Sequence, residues 1–131
     1  MNINLKLFQN LKNMNFDYIS ENIVHEQDLS GIVNELKNAG AEAISINDQR
    51  ITTNTSINCI GNVIKIDDEK ISSPFVIKAI GFPERMESAL SRAGGYLYLM
   101  ENYGGIVVSI KKSDNVKIPK YTGVISSKYI K

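Results

Sequence analysis

Residues 28–51, DLSGIVNELKNAGAEAISINDQRI, decide the fold of this chain. Apolar residues recur there at the spacing of one helix face, at Leu29, Ile32, Val33, Leu36 and Ala39. This stripe predicts an amphipathic helix, and Gly40 is the residue type that most often ends one. Gly31, inside the helix, costs about 1 kcal/mol relative to alanine, which predicts a neighbouring backbone packed closely against it. The apolar run at 43–46 predicts a strand directly after the helix.

A dense group of hydrogen-bonding side chains follows that strand, and its members are Asn47, Asp48, Gln49, Arg50, Thr52 and Asn54. Amide groups both donate and accept hydrogen bonds, and the planar fork of arginine matches a carboxylate or phosphate. The cluster is therefore the predicted ligand-binding or partner-binding site. The structural interpretation, which polar loop residues often justify, is that these groups satisfy one another and the loop backbone. In that interpretation Arg50 pairs with Glu35 or Glu42.

The rest of the chain alternates predicted strands and helices. Strands are expected at 3–7, 43–46, 55–60, 63–66, 75–80 and 106–110, and a second helix opens at Pro83 and is followed by a short segment at 96–102. Gly61-Asn62 is a two-residue hairpin signal. The order predicts an α+β fold with a ferredoxin-like antiparallel or mixed sheet, two helices on one face and an inserted β-hairpin. A mixed sheet with another strand order is the alternative.

Composition and charge exclude several classes of protein. The 131 residues fit one domain, and 43% apolar and 22% charged residues are ordinary globular values. Fifteen basic residues against fourteen acidic ones leave a net charge of +1, so no nucleic-acid partner is predicted. No apolar run reaches the roughly 20 residues of a membrane-spanning helix, so we expect the fragment to be soluble. We expect one domain over 1–131, with 124–131 as a tail.

Reaction chemistry is not evident in the sequence. With one histidine, His25, and one cysteine, Cys59, neither a disulfide nor a zinc site built from several such ligands is available within the chain. A thiolate pair of the two is disfavoured because we expect His25 at a helix start and Cys59 facing the core. The acidic run at 67–69 lacks the spacing of a calcium loop and is expected to be a solvated turn that ends the hairpin. We expect no catalytic residues, no metal, no cofactor and no enzymatic activity.

Three segments carry a resemblance to a known family: VHEQDL at 24–29, NELKNAGAEAISINDQRI at 34–51 and PFVIKAIGFPERMESAL at 74–90. They resemble a bacterial family of unknown function, typified by the YlxW and YlxX proteins, which are encoded near division and sporulation genes. The resemblance continues through 52–64, Gly94-Gly95 and Ile118-Pro119, so the family-like core covers about 23–123. The QR element of the family falls on Gln49 and Arg50.

The resemblance implies a single-pass membrane protein with an N-terminal anchor, a coiled-coil stretch and this domain at the C-terminus. This chain departs from that layout because it begins almost at its first strand, without the anchor or heptads. We therefore expect a non-catalytic interaction or scaffold domain, anchored in the full-length protein on the extracytoplasmic side and associated with itself or with an envelope protein partner. The alternative is a sensing domain that holds an anionic small molecule through Asn47, Gln49 and Arg50.

Overall fold

The computed structural model of the chain describes residues 2–9, 24–60, 63–113 and 118–119. Within these ranges the elements are β1 (Asn2–Gln9), α1 (Glu26–Asn38), β2 (Ala43–Ile46), β3 (Gln49–Arg50), β4 (Ile57–Ile60), β5 (Val63–Ile66), β6 (Glu69–Ile71), β7 (Phe75–Ile80), α2 (Pro83–Ser91), α3 (Tyr96–Tyr103) and β8 (Ile106–Ser113). The predicted turn at Gly61-Asn62 and the predicted tail at 124–131 lie outside the described residues.

The larger sheet has the strand order β3-β2-β7-β1-β8, and each neighbouring pair is antiparallel. Leu5 of β1 lies opposite Ile77 on one side and Ile110 on the other, so it is flanked by a strand on both sides. Both Leu5 and Ile77 are completely buried. The predicted α+β class is confirmed, and the sheet is antiparallel and not mixed.

Residues 57–71 form a separate sheet of three antiparallel strands, β4-β5-β6. The two predicted strands are present as β4 and β5 and residues 67–68 form a turn as expected, but Glu69, expected in that turn, begins a third strand that the sequence did not predict. Asp67 and Asp68 turn the chain into β6, whose single apolar residue, Ile71, joins the core. One apolar residue in three gives no period-2 signal, so β6 is defined by its pairing with β5 and not by its own pattern.

Helix α1 confirms the apolar stripe predicted for it. Leu29, Ile32 and Leu36 are fully buried against the sheet residues of the same core. At the start of the helix, a carboxylate oxygen of Asp28 accepts a hydrogen bond from the backbone N–H of His25 at 2.9 Å. At its end, Gly40 has a φ of +90°, a left-handed conformation that glycine adopts without steric cost. The predicted boundaries of this helix follow from these two residues.

The neighbour of Gly31 is a side chain, and the predicted backbone approach is wrong. The phenol ring of Tyr96, the first residue of α3, lies directly over Gly31, so that a Cβ at this position would overlap the ring. The two helices therefore meet through a glycine and an aromatic ring. The sequence contains no local signal for this contact because the two residues lie far apart along the chain.

Helices α2 and α3 are separate, as the Gly94-Gly95 pair predicts. Pro83 is at the start of α2, and Met86 and Leu90 on its inner face are fully buried. Gly94 has a φ of +81° in the connection, and Leu97 and Met100 then direct one face of α3 into the core. Among the described helices, none is long and apolar enough to cross a membrane.

The Gly31–Tyr96 contact predicts that Gly31→Ala destabilises the chain although alanine is the better helix former. We expect the free energy of unfolding to fall by about 1–3 kcal/mol, because the ring must move. Urea denaturation of Gly31→Ala, Tyr96→Leu and the double variant measures the effect, and Tyr96→Leu should remove most of the alanine penalty. A Gly31→Ala variant that is more stable than the parent would contradict the contact.

Candidate functional site

Asn47, the first residue of the predicted site, is a structural brace. Asn47 and Asp48 form the two-residue turn between β2 and β3, with φ values of 48° and 66°. Two successive positive φ angles match the twist of a hairpin, and asparagine and aspartate tolerate them best among residues with side chains. The Asn47 N–H donates to the carbonyl of Val76 at 2.9 Å, and its Oδ1 accepts the Val76 N–H at 2.7 Å. In a regular ladder a backbone carbonyl would accept the Val76 N–H. Because the turn points that carbonyl elsewhere, the side-chain oxygen of Asn47 accepts the bond instead.

The amide nitrogen of Asn47 ties the same turn to the connection that precedes β7. Its Nδ2 lies 3.4 Å from the carbonyl oxygen of Ser72 and 3.3 Å from that of Pro74. Both ends of the Asn47 side chain are therefore used within the protein. The structural interpretation of the cluster is confirmed for this residue.

The turn between β5 and β6 is stabilised in the same way, by one backbone hydrogen bond and one hydrogen bond to a side chain. Asp67 has a φ of 52°, its N–H donates to the Ser56 carbonyl at 2.9 Å, and its Oδ1 accepts the Ser56 N–H at 3.0 Å. Each sheet thus has one turn in which an Asn or Asp side chain continues a backbone ladder. Asp67, expected to be solvated, is half-buried and structural.

Thr52 and Asn54 belong to a local turn between the two sheets. Thr55 Oγ1 accepts the Thr52 N–H at 2.7 Å, and Thr52 Oγ1 accepts the Asn54 N–H at 3.2 Å. The two hydroxyl groups are 3.1 Å apart. These bonds hold the loop in shape, so Thr52 uses its polar group locally and does not converge with Asn47 on a common ligand position.

Asp48 is the exposed member of its turn. Its Oδ1 lies 3.4 Å from Lys78 Nζ, and the aspartate side chain is 71% exposed. An ion pair this open to water stabilises a protein by about 0–1 kcal/mol. It can orient Lys78, but it leaves both charges available to solvent.

Arg50 does not make either of the ion pairs expected for it. Glu35 is bound instead by Arg92, whose Nε and Nη2 lie 3.1 and 2.9 Å from Glu35 Oε2. Glu42 is exposed, and within the described ranges Arg50 has no carboxylate partner. Arg50 and its neighbour Gln49 are half-buried on the short edge strand β3. The interpretation in which Arg50 braces Glu35 or Glu42 is therefore wrong.

The register of the large sheet places Arg50 in a row with two residues that the sequence did not single out. Ser45 of β2 lies directly opposite Arg50 of β3 and opposite Lys78 of β7, and opposed residues project from the same sheet face. Ser45 is fully buried, and its Oγ has no hydrogen-bond partner among the described atoms. A buried hydroxyl without a partner is unusual, because its desolvation costs free energy. Arg50, Ser45 and Lys78 thus form one row on a single sheet face, in which Lys78 also lies against Asp48.

The positions predicted for His25 and Cys59 are only partly correct. His25 immediately precedes α1, as expected, but Cys59 is exposed and does not face the core. It lies on β4, an outer strand of the small sheet, where Asn58, Cys59 and Ile60 are all exposed. No hydrogen bond joins His25 to Cys59, and the described part of the chain has no group of three or more His, Cys, Asp or Glu residues placed to hold a metal ion.

A second candidate site lies at the opposite edge of the large sheet. A cleft of about 130 Å³ opens between helices α2 and α3 and strand β8. Its apolar walls are Leu90, Leu97, Val108 and Ile110, and the polar groups at its rim are those of Ser91, Tyr98 and Glu101. The sequence contains no signal for this site, because each of its residues, taken alone, has the pattern of an ordinary core or surface position.

Beside the cleft, α3 exposes large apolar side chains. Tyr96, Leu99 and Tyr103 follow the spacing i, i+3, i+7 and so share one helix face, which we call the α3 face. Their side chains are 39%, 46% and 73% exposed. The ring of Tyr103 also packs edge-on against that of Tyr98 at a centroid distance of 6.4 Å.

Together these features define an α+β domain in which polar turns brace the sheets while an aromatic helix face and an apolar cleft remain open. The chain belongs to the family described as "Bacterial protein of unknown function (DUF881)", whose model matches residues 3–131. It is similar to the UPF0749 protein Rv1823 of Mycobacterium tuberculosis, with 38% identity over 102 residues that make up 76% of this chain and 33% of that protein.

It is also similar to the UPF0749 protein YlxW of Bacillus subtilis, with 36% identity over 100 residues, 76% of this chain and 43% of the relative. The chain therefore spans less than half the length of either protein. A crystal structure of an uncharacterized conserved protein from Mycobacterium tuberculosis has the same fold, with a TM-score of 0.71 and 22% identity over 94% of this chain and 87% of the other. The resemblance to the YlxW-type family inferred from the sequence is confirmed.

The bracing role of Asn47 predicts how three substitutions rank. Asn47→Gly keeps the positive φ but removes the acceptor of the Val76 N–H, so we expect the free energy of unfolding to fall by about 1–3 kcal/mol. Asn47→Asp retains an acceptor and should cost less, whereas Asn47→Ala loses the acceptor and adds backbone strain. Urea denaturation gives the ranking, and hydrogen exchange of the Val76 amide reports the bond directly.

The control for this series is Thr53→Ala in the exposed neighbouring loop, for which we expect a change within about 0.5 kcal/mol. Equal stability of Asn47→Gly and the parent would contradict a stabilising role of the Asn47 side chain.

Proposed function

We propose that this chain is a non-catalytic interaction or scaffold domain of a longer, membrane-anchored envelope protein. The observation that carries the proposal is the exposed α3 face. Aromatic residues are enriched in the centres of protein interfaces, because they bury a large area with few rotatable bonds. Tyr96, Leu99 and Tyr103 present such an area to solvent on one rigid helix.

The contacts that the predicted polar cluster makes within the protein support the same proposal. Asn47 and Thr52 form hydrogen bonds within the protein, and Asp48 lies against Lys78 at the surface. The cluster therefore stiffens the platform and provides no base beside a nucleophile. A rigid platform with an exposed apolar face suits binding of another protein, because little conformational entropy is lost when the surface is covered.

The strand order supports a more specific description of this platform. The four longer strands of the large sheet lie in the order β2-β7-β1-β8, with α1 between β1 and β2 and helices α2 and α3 between β7 and β8. We propose a ferredoxin-like fold on this ground, since these elements follow the succession β-α-β-β-α-β, with β3 and the small sheet β4-β5-β6 as additions. Such a sheet holds helix α3 in a fixed orientation at one side.

Membrane attachment and cellular role are part of the proposal. The relatives are more than twice as long as the matched segment, which leaves room for an anchor and a coiled-coil stretch before a domain of this kind. In the proposed layout the anchor is the sole link to the membrane, the domain lies on the extracytoplasmic side, and it associates with itself or with an envelope protein in division or sporulation.

The α3 face predicts that substitutions there reduce association of the full-length protein. We expect Leu99→Ser with Tyr103→Ser to lower crosslinking in membranes at least about tenfold, since central interface residues often contribute about 2 kcal/mol or more. The matched control is Ile60→Ser, because Ile60 and Leu99 are both 46% exposed but Ile60 lies on the small sheet. A full-length protein that sediments as a strict monomer and yields no crosslinked partner would refute the proposal.

An alternative function, sensing of an anionic small molecule, is favoured by one observation. Arg50 has no carboxylate partner among the described residues and lies in a row with the unpartnered Ser45 hydroxyl and with Lys78. Guanidinium, hydroxyl and ammonium groups are the donors that an oxyanion requires. Of the residues first predicted for this role, Arg50 retains its guanidinium for a ligand, whereas Asn47 has both ends of its side chain in use.

This alternative predicts that inorganic phosphate or a small dicarboxylate raises the melting temperature of the chain. A ligand that binds only the folded state at 100 times its Kd stabilises it by about 2.7 kcal/mol. Arg50→Gln should abolish the shift, whereas Arg85→Gln, at an exposed arginine on α2, should retain it. The absence of any shift at tens of millimolar anion, or an equal shift in Arg50→Gln, rejects the sensing function.

A further inference from the structure

Within the part of the chain that the structure describes, strand β8 is one edge of the large sheet. It spans eight residues, Ile106–Ser113, and among the described strands it pairs with β1 alone. Because an edge strand is hydrogen-bonded on one side, alternate N–H and C=O groups on its other side can pair with an added strand. The opposite edge is β3, with two residues, which is too short for the same role.

The apolar cleft lies alongside this edge. Val108 and Ile110 of β8 form one wall, and Leu90 of α2 and Leu97 of α3 form the other. Its volume of about 130 Å³ is close to that of an engineered apolar cavity of about 150 Å³ that accommodates benzene. The cleft is therefore large enough to admit a branched aliphatic side chain, and a second aliphatic residue on the same strand face would lie at its margin. A backbone edge beside an apolar pocket is the combination by which sheet domains bind extended peptides.

The charges of β8 define the occupant further. Side chains alternate along a strand, so a residue opposite Val108 or Ile110 faces the cleft, and one opposite Lys111 faces the other side of the sheet. Lys112 is paired with Glu87 at 3.2 Å, whereas Lys111 is exposed and has no ion pair within the described ranges. An acidic residue opposite Lys111 would make a favourable cross-strand pair.

We propose that β8 binds an extended segment of a partner protein as an additional antiparallel strand with the pattern acid–aliphatic–any–aliphatic. In this register the acid lies opposite Lys111, and the two aliphatic residues lie opposite Ile110 and Val108. The antiparallel direction follows that of every neighbouring pair in the sheet.

The inference rests on the proposed interaction function and names its partner class. A second copy of β8 does not fit, because its sequence, IVVSIKKS, contains no acidic residue.

The test uses a fluorescent peptide, fluorescein-Gly-Thr-Thr-Glu-Leu-Thr-Val-Thr-Thr-amide, titrated into the whole chain and followed by anisotropy and by backbone amide NMR. We expect saturable binding, with the largest amide shifts at 107–111 and near Leu97. A peptide of the same composition in scrambled order should bind at least about fivefold more weakly, since it loses the pairing of acid and apolar positions.

Two substitutions at exposed positions test the register and the cleft separately. Lys111→Glu should weaken the peptide about fivefold, and a peptide with lysine in place of glutamate should restore the binding of this variant. Ser91→Trp fills the cleft from its rim and should weaken binding at least about tenfold. Ser88→Trp is its matched control on the same helix, exposed and away from the cleft, and should bind like the parent.

The remaining outcomes decide against the inference. Equal binding of the scrambled peptide, equal effects of both tryptophan variants, or no rescue of Lys111→Glu by the lysine peptide would overturn strand addition. So would a photo-crosslinker at position 109 of the full-length protein that reacts only with a second copy or within its own chain. If membrane crosslinking depends on Leu99 and Tyr103 but not on Ser91 or Lys111, the interaction function stands and strand addition fails. If no variant or parent crosslinks to any protein, both fail.

Discussion

The pair of hydrogen bonds between Asn47 and Val76 is the constraint on which the geometry of the large sheet depends. The backbone of Asn47 must leave the ladder to make the turn, and its side-chain oxygen then completes the pairing at 2.7 Å. This joins the end of β2 to the start of β7 and sets the register of β3. In the small sheet the side-chain oxygen of Asp67 likewise accepts the Ser56 N–H in place of a backbone carbonyl. Two polar residues thus terminate two ladders while their side chains pair the N–H groups of Val76 and Ser56.

A second polar contact ties the helices together. Glu35, 10% exposed at its side chain, projects from α1 and is held by Arg92 at the end of α2. Removing one partner of such a pair leaves a charge without compensation, so the contact specifies the helix arrangement more than it adds net stability. Together with the Tyr96 ring over Gly31, it fixes where α3 lies on the sheet. The α3 face and the cleft are consequences of that placement.

The two edges of the large sheet differ in a way that matters for association. β3 is a two-residue strand next to a tight turn, and short edges resist pairing with other chains. β8 is an eight-residue strand that contains two lysines, Lys111 and Lys112, and borders the cleft. Positive charge on an edge strand opposes pairing with itself but favours an acidic partner. The eight-residue edge strand thus lies next to the helix whose aromatic residues are exposed.

The sequence by itself determined the elements whose signals are local. The stripe of α1, the left-handed turn at Gly40 and the opening of α2 at Pro83 follow from periodicity and backbone preference, and they were predicted correctly. The tertiary structure alone decided that Glu35 pairs with Arg92, that Asn47 bonds to Val76, and that Arg50 lies in one sheet row with Ser45 and Lys78. It also added β6 and left Cys59 exposed. The physical reason is that periodicity depends on neighbours along the chain, whereas register and burial depend on residues tens of positions away that only folding brings into contact.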